Sequence, residues 1–347
     1  MARVRGRTAR VALAVASLPF AVALAEALVR AAIALYHLEP IVVSHPRLGW
    51  VDRPELRNVL KVYAGGRYWI STDAEGHRLS SPQSEPASPS PTVLLAGDSF
   101  VEGVGVDDRE TFAWRLAAAG FHVVNLGVLG YGTEQEVLSV EEFIANHPGE
   151  PIAAIVLFVF DNDFVDVQRP LDPYLGRTRP VLREHNGRLD RVPYRVPAIE
   201  RAMDVSRLVW LLRSKWTLSW RAPDPPLEPG IDLVVGSLAT LREVAQRQQI
   251  SLHVLLHHRV GAEPALFAAS AKRFLDASGA VDITGRIRSG PGDPIGGDGA
   301  HWSAEGHRRV AAIVEEMLGS NRAEQRTKLP IEHDARGDVA DRHHGEH

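Results

Sequence analysis

The sequence predicts an α/β fold, a three-layer α/β/α sandwich with a mostly parallel sheet. From residue 92 onward, short apolar segments that end in turn residues alternate with longer segments of helical periodicity. This is the pattern of a parallel sheet covered by helices on both faces. The longest apolar run, Ile152–Phe160, is rich in β-branched and aromatic residues. It is too short to cross a membrane, which takes about 20 residues, so it predicts a buried strand.

The predicted elements follow one another regularly, apart from one insertion. The expected strands are Thr92–Ala96, His122–Leu126, Ile152–Phe160, Ser251–Leu256 and Ala280–Ile283. The expected helices are Thr111–Ala119, Glu134–Asn146, Leu233–Gln248, Pro264–Ala277 and Ser303–Leu318. Residues 165–230 are rich in Pro and Arg and interrupt the alternation, which predicts a lid-like insertion with one helix near Asp204–Lys215. The main domain is therefore expected to span residues 92–319.

The insertion also carries three tryptophans, Trp210, Trp216 and Trp220. Such rings can stack on sugars or cover an acyl chain, because they offer a large apolar area with a polar edge. The simpler interpretation is that they pack the insertion onto the main domain.

The first 36 residues have the features of a membrane segment. Four arginines within the first ten residues precede an uncharged run over residues 11–25. As one helix, residues 11–36 would measure roughly 39 Å, enough to cross a hydrocarbon core of about 30 Å. Glu26 and Arg30 are spaced to pair with each other near the outer headgroups. We therefore expect a single-pass anchor in the inner (cytoplasmic) membrane, with the rest of the chain exported because positive charge stays inside.

Two alternatives to the anchor remain open at the level of sequence. The segment Ala23–Ala25 fits the small-x-small pattern of a signal peptidase site, so the chain could instead be secreted after cleavage near Ala25. A buried helix of a soluble protein is the third interpretation.

The segments that flank the main domain are polar or irregular. Residues 37–91 are expected to be an extension of short mixed segments that ends in a Ser/Pro-rich linker. Residues 320–347 lack apolar periodicity and are expected to be a disordered tail. The tail histidines have no spacing that fixes a coordination geometry, so no metal site is predicted there; they are His333, His343, His344 and His347.

Composition excludes several classes of function. The net charge of −4 provides no general basic field, so no nucleic-acid partner is expected. Cysteine is absent, which excludes disulfides, thiol nucleophiles, Cys-ligated zinc and Fe–S clusters.

Polar residues that can do chemistry follow the predicted strands. Ser99 comes directly after the first strand, where a strand-to-helix turn exposes a hydroxyl and leaves its own N–H free to donate. The glycines of Gly127–Gly132 allow a close approach of backbone N–H groups to a ligand. Asn162 follows the third strand, and its amide can donate to a developing oxyanion without carrying charge. Each of these segments, taken alone, also fits an ordinary turn or helix cap.

A late loop supplies a general base. Asp298 and His301 are three residues apart before the last predicted helix, so the carboxylate can lie beside one ring nitrogen and leave the other free. His307 is a rival base, but it falls inside the predicted helix. Parallel sheets bind ligands at the carboxyl ends of their strands, where these segments are expected to meet. Together they provide the nucleophile, base and oxyanion donors that acyl transfer needs.

These motifs resemble the SGNH/GDSL hydrolase family over roughly residues 92–165 and 230–319. One departure is Asp161, where many members have Gly. An extra carboxylate beside an oxyanion hole opposes negative charge unless it turns away or is paired. The stretch 101–108 resembles bacterial members in particular. The matching blocks are Gly97–Phe100, Asn125–Gly130, Asn162–Asp163 and Asp298–His301.

The resemblance implies a flavodoxin-like sandwich and a serine esterase. By it, Ser99 is the nucleophile, His301 the base and Asp298 its partner, while the Ser99 N–H, the Gly130 N–H and the Asn162 amide form the oxyanion hole. The expected substrate is an acyl ester, and no metal or organic cofactor is required. The architecture also resembles bacterial envelope proteins that remove or transfer acyl groups on glycans, so a polysaccharide ester is a possible substrate. Glycan O-acyl transfer and a non-catalytic envelope scaffold are the alternatives.

Overall fold

A five-stranded parallel sheet forms the centre of the protein. The structure is a computed structural model and describes residues 2–63, 66–81, 91–185, 188–220, 222–258 and 264–328. In chain order the strands are β1 (Val42–His45), β2 (Gly49–Asp52), β3 (Val59–Tyr63), β4 (Gly66–Ile70), β5 (Thr92–Ala96), β6 (His122–Asn125), β7 (Ile152–Phe160), β8 (Leu182–His185), β9 (Arg188–Arg191), β10 (Ser251–His257) and β11 (Val281–Asp282). The central sheet has the order β11-β10-β7-β5-β6, and every pair in it is parallel.

Helices cover both faces of this sheet, which confirms the predicted α/β/α sandwich. In chain order they are α1 (Ala2–Tyr36), α2 (Ser99–Glu102), α3 (Phe112–Ala118), α4 (Thr133–Asn146), α5 (Asp163–Asp166), α6 (Ala198–Val205), α7 (Arg207–Ser219), α8 (Leu227–Gln248), α9 (Pro264–Ser278), α10 (Thr284–Arg288) and α11 (Ala304–Lys328). A 3-10 turn lies at Asp108–Glu110.

Alternation along the strands divides the core into two layers. Successive side chains of a strand point to opposite faces of the sheet. Val93 and Leu95 of β5 therefore pack with α3, α10 and α11, whereas Leu94 and Ala96 pack with α4, α8 and α9. All residues of β5 are buried, as expected for a central strand covered on both faces.

The N-terminal extension is folded onto the domain and is not a series of loose segments. It forms two antiparallel hairpins, β1–β2 and β3–β4. Trp50 is fully buried in a third apolar cluster, which joins these hairpins to Val104 and Val128 in the loops after β5 and β6. The guanidinium of Arg78 donates to the backbone carbonyls of Glu102, Gly103 and Val106. Part of the predicted Ser/Pro linker, residues 82–90, lies outside the described residues.

The insertion differs from its prediction. Instead of one helix over Asp204–Lys215, two helices are separated at Ser206, whose hydroxyl accepts a hydrogen bond from the Val209 N–H and caps α7. A cap of this kind starts a new helix because it satisfies an N–H that lacks an intrahelical partner. The segment also contains the hairpin β8–β9. Of the three tryptophans expected to pack the insertion onto the domain, Trp210 is partly buried, whereas Trp216 and Trp220 are 53% and 75% exposed and contribute little to that packing.

The two ends of the chain are helical. The last helix ends at Lys328 and not near Leu318, so the tail does not become irregular at residue 320; residues 329–347, with their four histidines, lie outside the described residues. At the other end, Ala16–Tyr36 of α1 has a mean hydropathy of 1.9 and is almost wholly unburied. In the described chain this helix has the length and composition of a membrane span, and a signal sequence would have the same character.

Candidate active site

Ser99 lies at the carboxyl end of β5, as the first residue of α2. The turn into the helix is tight: a Cβ on Gly97 would lie 2.3 Å from Val101, and a Cβ on Gly127 would lie 2.4 Å from the Glu102 nitrogen. Asp98 caps the helix by accepting a hydrogen bond of 2.9 Å from the Phe100 N–H. The glycines at positions 97 and 127 therefore permit the close packing that fixes the Ser99 hydroxyl at the edge of the sheet.

His301 contacts Ser99 across 202 residues of sequence. The distance from His301 Nε2 to Ser99 Oγ is 2.8 Å. On the other side of the ring, His301 Nδ1 makes a hydrogen bond with Asp298 Oδ2. The loop is also fixed by its backbone, because Asp298 Oδ1 accepts hydrogen bonds from the N–H groups of Ala300 and His301. The structure thus joins the three predicted residues in one hydrogen-bonded chain.

The electrostatics of this chain favour an ionised Asp298. Partial burial acts to raise the pKa of this carboxyl, but the hydrogen bonds from the His301 ring and from the backbone outweigh it, and the net pKa is lowered. A carboxylate held ionised at Nδ1 fixes the ring tautomer, so that Nε2 can accept a proton from the serine. The Phe100 ring packs beneath the imidazole, with the ring centroids 4.8 Å apart.

Asn162 comes close to the serine through Asp98. Its amide nitrogen lies 2.9 Å from Asp98 Oδ2 and 3.1 Å from Asp166 Oδ2, so both of its donors face carboxylates. Asp98 is buried, which raises its pKa to about 6 despite the hydrogen bonds from Phe100 and Asn162. The amide therefore contacts Asp98, the residue directly before the nucleophile, and divides its hydrogen bonds between two carboxylates.

Gly130 lies in the loop that follows β6, in the left-handed region with φ +77°. The loop is braced by the N-terminal extension: Trp50 Nε1 donates to the Leu129 carbonyl at 2.9 Å, and Tyr131 Oη donates to the Trp50 carbonyl at 2.7 Å. Neither the Gly130 N–H nor the Ser99 N–H donates to another described residue. Both groups are thus free to bind an oxyanion.

Two further carboxyl groups near Asp98, those of Glu136 and Asp163, are buried. Burial, together with repulsion from Asp98 and Asp166, raises the pKa of Glu136 and of Asp163 well above the usual range. Neither oxygen of Glu136 has a hydrogen-bond partner among the described residues. Within the described part of the chain, no group of three His, Asp or Glu side chains is arranged to hold a metal ion.

His307, the rival base, lies in the core and does not contact Ser99. Its Nδ1 accepts a hydrogen bond from the Phe112 N–H at 3.2 Å, and its ring stacks on Phe112. Burial lowers the pKa of His307 well below the usual range, so this imidazole is neutral and structural.

The structure adds residues that the sequence did not indicate. Tyr63, at the end of β3, places the edge of its ring against His301, with centroids 5.4 Å apart. Trp50 supports the Gly130 loop, and Asp166 binds the Asn162 amide. No sequence motif marks any of these three residues. Tyr63 and Trp50 belong to the N-terminal extension, and their contacts depend on how that extension packs on the main domain.

A search of solved structures returned proteins of the family that the motifs resemble. The psychrotrophic esterase EstA from Pseudoalteromonas sp. is 12% identical, with a TM-score of 0.38; the match covers 68% of this chain and 100% of that one. A member of the lipolytic protein G-D-S-L family from Veillonella parvula is 12% identical, with a TM-score of 0.35, covering 69% and 100%. AlinE4, an SGNH-hydrolase family esterase, is 17% identical, with a TM-score of 0.32, covering 70% and 98%. No family model and no curated protein matches the sequence.

Proposed function

We propose that the protein is a serine ester hydrolase that uses Ser99, His301 and Asp298. The observation that carries the proposal is the 2.8 Å contact between Ser99 Oγ and His301 Nε2, with Asp298 on the opposite ring nitrogen. A nucleophile, a base and a group that orients the base are the minimum for acyl transfer through a covalent intermediate. A scaffold that only kept the fold would have no need to preserve this contact.

The mechanism follows from these positions. His301 Nε2 takes the hydroxyl proton while Ser99 Oγ attacks the ester carbonyl, and the carbonyl π electrons move onto oxygen. The resulting oxyanion accepts hydrogen bonds from the N–H groups of Ser99 and Gly130 and from the Asn162 amide. Collapse expels the alcohol, which receives the proton from His301. Water, deprotonated by His301, then attacks the acyl carbon. The bond between the acyl carbon and Ser99 Oγ breaks, His301 returns the proton to Ser99 Oγ, and the acid is released.

Two measurements on the full chain test this proposal. A fluorophosphonate probe should label wild type and the control Ser289→Ala, but not Ser99→Ala, since only an activated serine is phosphonylated. Ester cleavage should be lost in Ser99→Ala while circular dichroism shows an unchanged fold. Retained cleavage in that variant would refute the nucleophile assignment, and an absence of labelling in folded wild type would favour a scaffold.

The substrate class is best approached with a panel of acetyl, longer-chain and glycan esters. Esters on envelope polysaccharides come first, because the anchor-and-domain architecture resembles envelope proteins that modify glycans. Analysis of products with and without a saccharide acceptor separates hydrolysis from O-acyl transfer: free acid indicates water as acceptor, and an acylated saccharide indicates transfer.

We also propose that α1 is retained and anchors the chain in the inner membrane, with the domain exported. Arginines before the apolar run favour a cytoplasmic N-terminus. The possible cleavage site near Ala25 lies within a continuous helix, and Glu26, directly after it, hydrogen-bonds to the N-terminus of α7. The intact mass of the protein from the membrane fraction tests this, since a chain that begins at Glu26 would show that the segment is a cleaved signal.

A further inference from the structure

The point at which α1 leaves the folded domain is defined by the side chains. From Ala16 to Leu24 the helix is exposed on every side, whereas from Ala25 onward one face turns toward the protein and includes the buried Ile33. The uncharged residues 11–24 of this helix would measure roughly 21 Å at about 1.5 Å per residue. A span shorter than a hydrocarbon core of about 30 Å is accommodated by local thinning of the bilayer and by the preceding arginines, whose long side chains can reach the inner headgroups. In the anchored protein, the outer membrane surface would therefore lie near Ala25.

Helix α7 is attached to α1 at this level. The Glu26 carboxylate accepts hydrogen bonds from Ser206 Oγ and from the N–H groups of Arg207 and Leu208, at 2.8–2.9 Å. Arg30 pairs with Glu26 at 2.7 Å and donates to the Val205 carbonyl. A carboxylate that caps a helix N-terminus and is also paired forms a specific polar junction, which fixes α7 beside the point where α1 meets the lipid.

One face of α7 is apolar and uncovered. Leu212, Trp216 and Trp220 follow one another at a spacing of four residues, so they form a stripe along the helix, which we call the α7 stripe. Their side chains are 61%, 53% and 75% exposed. With Ile199 of α6 and Val209, the first two line a shallow groove of about 330 Å³. On a folded domain that is otherwise in water, a contiguous exposed apolar surface indicates a site that contacts a protein, a membrane or a ligand.

The charges of α7 indicate which partner covers the stripe. The segment 207–220 has three basic residues and no acidic residue. The Arg213 guanidinium lies over the Trp216 ring, 5.0 Å from its centroid, and Lys215 is exposed. Tryptophans with neighbouring Lys and Arg are typical of helices that lie in the interface of a membrane with anionic lipids, where the rings sit at headgroup level.

We propose that α7 lies on the outer surface of the membrane that α1 enters, with the α7 stripe among the headgroups and Arg213 and Lys215 at the lipid phosphates. This inference rests on the proposed retention of α1 as an anchor. It gives the helix a second role, because α7 also braces the loop beside Gly130: Thr217 Oγ1 donates to the Pro173 carbonyl at 3.0 Å and Arg213 Nε to the Gly176 carbonyl at 3.2 Å. A membrane contact of α7 would therefore also support the loop beside Gly130.

The test uses the full chain in vesicles of phosphatidylethanolamine and phosphatidylglycerol. Because the chain has no cysteine, single nitroxide labels can be introduced at Leu212→Cys, Trp216→Cys and Trp220→Cys. Leu218→Cys, about 200° from Trp216 around the helix, and Lys272→Cys on α9 are matched controls at exposed positions. The measurement is the accessibility of each label to oxygen, which concentrates in lipid, and to a nickel chelate, which stays in water.

The stripe labels should show an oxygen-to-nickel accessibility ratio several-fold higher than both controls. Equal ratios at stripe and control positions, in protein that resists alkaline carbonate extraction, would overturn the α7 inference and leave the anchor intact. Extraction by carbonate would overturn the anchor, and the α7 inference with it. Phosphonate labelling of Ser99 is a separate measurement, so neither result bears on the esterase proposal.

Discussion

The Asn162 amide lies 2.9 Å from a carboxylate oxygen of Asp98, the residue directly before Ser99. The same amide nitrogen also contacts Asp166. An amide has only two N–H donors. Asn162 can therefore stabilise an oxyanion only if one N–H is shared between the oxyanion and a carboxylate, or if one N–H breaks its hydrogen bond with a carboxylate and turns to the oxyanion. The carboxylates of Asp98 and Asp166 therefore compete with any oxyanion for the Asn162 amide.

Asn162→Ala should separate the two roles of this amide. If Asn162 donates to the oxyanion in the transition state, kcat should fall by about 10²–10³ with little change in KM. Gln168→Ala is a suitable control, since it removes a nearby side-chain amide whose donors go to the Phe164 and Pro226 carbonyls. An unchanged kcat in Asn162→Ala would mean that the amide serves only to hold Asp98.

The fold was predictable because its signals are local and repeated. The runs Thr92–Ala96 and Ile152–Phe160 are strands with the predicted limits, since a buried parallel strand needs a continuous apolar segment and turn residues at its ends. The helix predicted near Asp204–Lys215 is present as α7, but it begins at Arg207 because Ser206 caps it, and Asp204 belongs to the preceding helix α6. Periodicity alone does not reveal such a break.

The site was predictable only in part, because the sequence shows local motifs but not tertiary contacts. Ser99, Asp298 and His301 lie in short motifs whose spacing carries the chemistry, and the structure brings them into contact. Tyr63 and Trp50 act on the site through the tertiary packing of the extension. Such contacts join residues far apart in the chain and leave no periodic signal in the sequence.

Gly130→Ala tests the loop conformation at Gly130, the proposed second oxyanion donor. The substituted Cβ would lie 3.0 Å from Asp172 Oδ2 and 3.3 Å from Leu175, and Asp172 cannot easily move because Arg179 holds it at 2.9 Å. We expect at least a tenfold loss of kcat and a lower melting temperature.

Gly120→Ala is the matched control, since its φ of +92° is also left-handed but nothing lies within 4 Å of the new Cβ. It should lose about 1 kcal/mol of stability from backbone strain and no activity; equal activity losses in the two variants would contradict the argument.

Tyr63 should position the imidazole through its ring and not through its hydroxyl. The Tyr63 and His301 rings meet edge-on, at an interplanar angle of 82°, and edge-to-face aromatic contacts contribute about 0.5–1.5 kcal/mol. Tyr63→Ala is therefore expected to reduce kcat about tenfold at fixed pH, whereas Tyr63→Phe should stay close to wild type. Steady-state kinetics on one ester measure both. A loss of equal size in Tyr63→Phe would show instead that the hydroxyl group participates.

His257 should make the protein less stable in acid. Its ring is buried against Phe100, Phe160 and Trp302, and burial lowers the pKa of His257 to about 3. The unfolded chain takes up a proton near pH 6.5 while the folded chain does not, so this group's contribution to stability is complete above pH 6.5. This contribution is then lost as the pH falls toward 3, by about 1.4 kcal/mol per pH unit.

His257→Phe removes this titration. The free energy of unfolding of the variant, minus that of wild type, should therefore increase when the pH is lowered from 8 to 5, as measured by urea denaturation at both pH values. A difference that does not change with pH would show that the His257 ring is already charged, or solvated, in the folded protein.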